Sequence, residues 1–232
     1  MLRTLTISAL LAGATLSLSA LPAHAQQQDG RFVLGGEITT DNRSKNASKS
    51  DGEAAIAGSF QWESGDGFFY AGPAFETIKS GGSEVEAEFN GGVRPQWGGF
   101  DFDFNVAHKW RLDANPGYDH DAWEFTADMK RSIGPASGRL QVQHSPDGAG
   151  SVKEWTWVAA RGGWDFNEKL NVSAEIGYRD QTNSVSYTGW NIGGSYLITP
   201  NMELDVRYHD TDADEPGKQY AGALVAGINF SF

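Results

Sequence analysis

Acidic residues recur at every second position in two places, Glu84, Glu86 and Glu88, and then Asp101 and Asp103. In an extended chain successive side chains point to opposite faces, so each set puts its carboxylates on one face of one strand. Such a row is an electrostatic wall, whereas acid–base catalysis needs groups converging on one reacting atom. Basic residues keep the same parity close by, at Arg94, Lys109 and Arg111. The mixture continues through Glu124, Asp128 and Lys130, then Arg139, Arg161, Glu175 and Arg179. It ends with Glu203, Asp205 and Arg207. If these faces line a closed sheet, they form a wet passage carrying both signs. Acids outnumber bases there, which predicts a preference for cations.

Other chemistry is hard to place. His144 and Ser145 are adjacent, so a strand would point them to opposite faces. His108 alternates with apolar residues, while His120 and His209 fall near loops. There is no Gly-x-Ser-x-Gly elbow, His-Glu-x-x-His pair or phosphate loop. The acidic stretch 210–215 lacks the glycine and terminal glutamate of a calcium loop. With no cysteine, thiol nucleophiles, disulfides and thiolate metal sites are excluded. We therefore expect no catalytic, cofactor-binding or metal-binding residues. A formal charge of −12 argues against nucleic acid as a partner.

The elements that must carry these faces are strands. Residues 202–209 show it best, with Met202, Leu204, Val206 and Tyr208 opposed to Glu203, Asp205, Arg207 and His209. Twelve such runs are predicted, over 31–41, 53–63, 68–78, 84–97, 99–111, 121–133, 138–146, 153–166, 169–180, 185–198, 201–210 and 218–232. Connections after the even runs are short; those after the odd runs tend to be longer and more polar. In the run 153–166, Trp155 and Trp157 fall in one register and Trp164 and Phe166 in the other. A bulge at Gly162-Gly163 would reconcile them.

Three signs bear on where such a sheet would sit. Arg3, an apolar run over 5–18 and Ala23-His24-Ala25 read as a secretory leader over 1–25, leaving 26–232 as one all-β domain. Nothing after it approaches the ~20 apolar residues of a membrane-spanning helix, so any crossing is by strands. Aromatic residues collect at strand ends: Trp62, Trp97, Phe100, Trp164, Phe166 and Tyr196 beside the short turns, and Trp110, Trp123, Tyr178, Tyr187, Tyr208 and Tyr220 beside the opposite loops. Two rings of this kind are the interfacial girdles of a transmembrane barrel. The chain stops on Gly227, Phe230 and Phe232, spaced like the signal that outer-membrane proteins present to the barrel-assembly machinery. The expectation is an antiparallel transmembrane β-barrel of about twelve strands in a bacterial outer membrane, with lipid, that machinery, and small solutes or ions as partners.

Residues 39–52, followed by Gly58-Ser59-Phe60 and by 67–72, resemble the TorF-type porin family. Asp41, Arg43, Ser48 or Ser50, and Gly67 through Gly72 carry the resemblance, with Asn42 in place of a usual tyrosine and Asn46-Ala47 in place of Gly-Ile. The resemblance implies an exported barrel acting as a porin and brings no catalytic residues. Two other readings stay open. A barrel of this size conducts only if no loop folds inward, so a plugged structural or loop-binding barrel is one. A soluble periplasmic β-sandwich that binds a ligand and buries the apolar face is the other.

Overall fold

The computed structural model describes residues 30–232; the leader expected over 1–25 lies outside them. Twelve long antiparallel strands follow one another. They are β1 (Arg31–Thr39), β2 (Ala55–Glu63), β3 (Phe69–Ser80), β4 (Ser83–Val93), β5 (Phe100–Leu112) and β6 (Asp121–Ile133). The second half is β7 (Ala136–Ser145), β8 (Trp155–Asp165), β9 (Leu170–Gln181), β10 (Tyr187–Thr199), β11 (Met202–Thr211) and β12 (Ala223–Ser231). Each pairs with its neighbours in sequence, and β12 pairs with β1 to close the sheet. Leu34 and Phe232 exchange both backbone hydrogen bonds at that seam, at 2.8 and 2.9 Å. Closure leaves no sheet edge, so a barrel of this kind can stand in a hydrocarbon layer. Its ladder is interrupted between the pair of Ser59 with Ala74 and the pair of Trp62 with Ala71, where Pro73 has no N–H to give.

The faces sort by solvent. Phe32, Leu34 and Ile38 of β1 are exposed, while Val33, between the first two, and Thr39, after the third, are buried. The same alternation exposes Phe104 and Val106 and buries Asp103 and Asn105 on β5. The apolar side chains thus form the outer surface and the polar ones the interior, the inverse of a soluble sandwich. Phe32 stacks on Phe60 and Phe102 on Phe104 across that outer face, with centroids 4.9 and 6.3 Å apart. His108 also faces out, between Trp110 and Trp123, and hydrogen-bonds Asp121 at 3.0 Å.

Several expectations need correcting. β8 is regular through Gly162 and Gly163, with unbroken pairing to β7 and β9. No bulge is required, because Trp155 and Trp157 point inward while Trp164 is exposed outward. Tyr187 and Tyr220 do not belong to the girdle either, since both are buried inside. Trp123, Tyr178 and Tyr208 keep the outward position, as do Trp62, Trp97, Trp164, Phe166 and Tyr196 at the other rim. The register slips between Thr77 and Ser80 where β3 meets β4, and beyond the slip Ser83 is buried and Glu84 exposed. The last strand begins at Ala223, five residues later than its alternation predicts.

A charge placed on the outer face should therefore cost far more than a polar change within. Ile192→Arg, mid-strand and 51% exposed, is expected to lose about 2–4 kcal/mol of stability in lipid vesicles. Asn229→Ser on the inner face should lose much less, and urea unfolding of the two variants compares them.

Candidate functional site

The interior is a tube of paired charges. Toward the short turns, Arg94 donates to Glu63 at 2.7 Å and to Asp103 at 3.2 Å, and lies over the Tyr70 ring at 4.0 Å. Arg31 adds a second cation to Glu63 at 2.8 Å, and the Tyr70 hydroxyl donates to Asp103 at 2.6 Å. Arg139 grips Asp128 through two nitrogens, at 2.6 and 2.9 Å. Toward the long loops, Lys109 stands 3.2–3.4 Å from Glu86, Glu88 and Glu124 at once. Arg111 reaches Glu86 at 3.3 Å. A wet lumen makes this density tolerable, because a buried charge without a partner is costly.

Most of the predicted wall residues lie in this interior. Glu84 is the clear exception, exposed at the rim in an outer groove with Ile56 and Lys79. Asp101 is exposed too, held by Gln96 at 2.9 Å beside a short turn. Glu203 is buried near that end, and Glu175 accepts from Asn191 at 3.5 Å. Glu63 and Glu76 were not among the predicted residues, although their parity on β2 and β3 would have revealed them.

The larger omission is a loop. Residues 40–54 leave the top of β1 and turn back into the barrel. Arg43–Ser44 and Ala47–Ser48 pair as a two-residue hairpin whose tip, Lys45 and Asn46, has φ of +54° and +68°. Positive φ at both central residues is the signature of the I′ turn, which matches strand twist but costs a lysine roughly 1–2 kcal/mol. One carboxylate organises the loop's base. Asp41 accepts from Ser48 at 2.5 Å, Ser50 at 2.9 Å and Arg43 at 2.6 Å. These four are among the residues that carried the family resemblance, the others being Gly67 through Gly72 on the next hairpin.

The tip is fastened on all sides. The Tyr187 hydroxyl donates to the Lys45 carbonyl at 3.0 Å. Asn46 Oδ1 accepts from Asn191 at 2.6 Å and lies 3.0 Å from His209 Nδ1. The Lys45 ammonium lies over the Trp155 ring at 4.2 Å, and Arg179 lies over the same ring at 4.7 Å. Ala47 packs into a cluster of Trp155, Trp157, Tyr187 and Tyr220, which explains why those aromatics face inward. On the opposite wall Lys49 bridges Glu76 and Glu86, the latter at 2.8 Å, and Asn42 donates to Glu76 at 2.8 Å. Room for the tip comes from Gly189, where a Cβ would stand 2.8 Å from Asn46 Cβ and 3.0 Å from the Lys45 carbonyl.

Burial drives the Lys45 amine down to about 7, against a pull from Glu124, with Arg179, Lys109 and Lys49 adding repulsion. Burial also opposes charging Lys49, but Glu76 and Glu86 outweigh it and raise that group. Among the described residues no cluster of side chains is arranged to hold a metal ion.

Comparison with known proteins gives a family and a fold. The profile of a family described as "Bacterial protein of unknown function (Gcw_chp)" matches residues 26–228. No curated protein matches the sequence. Among solved structures, the chain is similar to the KdgM porin, with a TM-score of 0.60, 8% identity, and 86% of this chain and 99% of that one covered. It is similar also to the COG4313 outer membrane channel from Pseudomonas putida F1 (TM-score 0.57, 10% identity, 91% and 96% covered). The NanC porin shows the same likeness (TM-score 0.57, 8% identity, 87% and 99% covered). At such identities the likeness is one of fold.

Two outcomes follow for the loop. Gly189→Val has no space for its side chain against Asn46, so it should expel the hairpin and expose residues 43–50 to protease in detergent-solubilised protein. Docking should also depend on pH. With the Lys45 pKa at about 7 when docked and ~10.4 when free, the undocked state binds more protons between those values. Docking therefore tightens as pH rises from about 7 toward 10, and this group contributes no further change below 7. Protease protection measured across that range should flatten in Lys45→Met.

Proposed function

We propose that this chain, which belongs to the bacterial Gcw_chp family, is an outer-membrane channel for passive passage of small solutes or ions, narrowed by its own first loop. The observation that carries this reading is the sorting of the two faces. An apolar outer band encloses a mainly polar, charged interior, into which the first loop and an aromatic cluster intrude, and a structure of that kind is suited to putting water across a lipid layer. The even strand number, with short turns at one end and longer loops at the other, fits insertion with both termini on the periplasmic side. The C-terminal strand bearing Gly227, Phe230 and Phe232 fits recognition by the barrel-assembly machinery, since it is the strand that closes the seam. A leader over 1–25 and a barrel over 26–232 complete the reading, and the Asp41 network supports kinship of this loop with TorF-type porins.

The finer part is ion preference. Glu76, Glu86, Glu88 and Glu124 give the outer half of the lumen an acidic wall, which supports selection of cations. The inserted loop brings Lys49 and a partly protonated Lys45 into that same half, while Arg43 is neutralised within the loop by Asp41. Its cations offset the wall, so a modest preference is the expected state of the intact channel. A plugged barrel is the second reading, and the fastened hairpin favours it over any other alternative.

Single-channel recording of the purified protein in planar bilayers across a salt gradient tests both. Small steps with a weakly cation-selective reversal potential are expected. Replacing residues 43–50 by two glycines should enlarge the steps severalfold and strengthen the cation preference together. Absence of steps in the shortened protein would defeat the channel reading; steps only in the shortened protein would establish the plug.

A further inference from the structure

Two guanidinium groups in the lumen converge on one hydroxyl. Arg161 on β8 donates to Ser173 Oγ through Nη2 at 2.8 Å and Nε at 3.3 Å. Arg207 on β11 donates to the same oxygen through Nη2 at 3.1 Å, and to the Ser173 carbonyl through Nη1 at 3.3 Å. Like charges repel, and a neutral oxygen that receives three donors offsets little of that repulsion. Arg207 has some relief from Asp205 at 3.2 Å and from Asn191 Oδ1 at 2.7 Å. Among the described residues no carboxylate closes an ion pair with Arg161. On its two adjoining strands it is paired with another cation, Arg139, already committed to Asp128, and with Glu175, which attracts it from beyond ion-pair distance.

The floor between the two arginines carries almost no side chain. Gly163 and Gly193 flank Ser173 on the neighbouring strands. A Cβ at Gly193 would stand 2.7 Å from the Arg207 backbone, and one at Gly163 would stand 2.6 Å from Ser137 Oγ. Glycine at both positions lets Arg207 and Ser137 approach closely, so little side chain stands between the forked donors. Guanidinium forks match the paired oxygens of carboxylates and phosphates, and charge assistance makes those bonds strong.

We propose that Arg161 and Arg207, with the glycine floor of Gly163 and Gly193, form a binding site for the carboxylate or phosphate group of a small anionic solute, which displaces the Ser173 hydroxyl as their acceptor. The inference rests on the channel reading, because the solute reaches the site through the lumen. It lies on a different wall from Glu76, Glu86 and Glu88, so a weak preference for small cations and a discrete oxyanion site coexist. An arriving oxyanion takes the donors that Ser173 now receives and relieves the repulsion between the guanidiniums.

The test uses two readouts on the intact protein. Inorganic phosphate or acetate, each compared with chloride at equal ionic strength, should raise the thermal unfolding midpoint in detergent and reduce single-channel current in bilayers. The probe acting at the lower concentration identifies the favoured group. Arg161→Gln and Arg207→Gln should each raise the concentration needed at least about tenfold. Ser173→Ala keeps both guanidiniums and should retain the response. If a glutamine variant fails to assemble, lysine at that position keeps the charge without the fork and should weaken binding severalfold. The site is overturned if neither probe differs from chloride in the unfolding experiment, if the arginine variants respond unchanged, or if Ser173→Ala loses the response. A protein that never conducts but is stabilised by phosphate or acetate through these arginines would defeat the channel reading and keep the site.

Discussion

Everything in this molecule depends on the hydrogen bonds between its first and last strands. A sheet with open edges cannot lie in hydrocarbon, where each unmade backbone bond costs several kcal/mol. Once β12 closes on β1, the pleat leaves two environments and each strand must serve both. The period of two in the sequence follows from that requirement, and so does the inversion that puts phenylalanine outside and aspartate inside. Lipid accepts the apolar face without tight packing. The specific contacts of the fold therefore concentrate in the interior, as ion pairs such as Asp128 with Arg139 and Glu63 with Arg94.

The strands were legible because alternation is a local property. Reading 202–209 needs only those eight residues, and the structure places β11 over nearly the same span. The face of a tryptophan was less legible. Trp155 and Trp164 differ in parity, and expecting every large aromatic to seek lipid led to a bulge that the regular ladder of β8 does not contain. Parity was the better guide. The interior can hold aromatics because the inserted loop supplies apolar surface there through Ala47, and nothing local to β8 could signal that partner. Glu84 keeps the parity of Glu86 but stands at the rim, beside the register slip where β3 carries an extra residue, and is exposed there.

The inserted loop was legible only in part. Asp41, Arg43, Ser48 and Ser50 attracted notice as a pattern, and they build its base. Its destination was not visible, because the residues that receive the tip come from β8, β10 and β11, more than a hundred positions away. Small residues on those strands gave a faint hint. Gly189 leaves a hollow on an otherwise crowded wall, yet a glycine alone does not tell whether water or a loop fills it. The same holds for the arginine pair on Ser173, where parity predicts inward guanidiniums but not that two of them share a single acceptor.

The hairpin also changes the barrel as a mechanical object. An empty tube of antiparallel strands can ovalise cheaply, since shearing its ladder bends hydrogen bonds without breaking them. Here Lys49 is tied to β3 and β4 on one wall while Asn46 and Lys45 are tied to β8, β10 and β11 on the other. The loop is a strut across the bore. Squeezing the cross-section along that line compresses it, and widening the bore stretches its fastenings. A barrel braced in this way resists changes of cross-section that an unbraced one would follow.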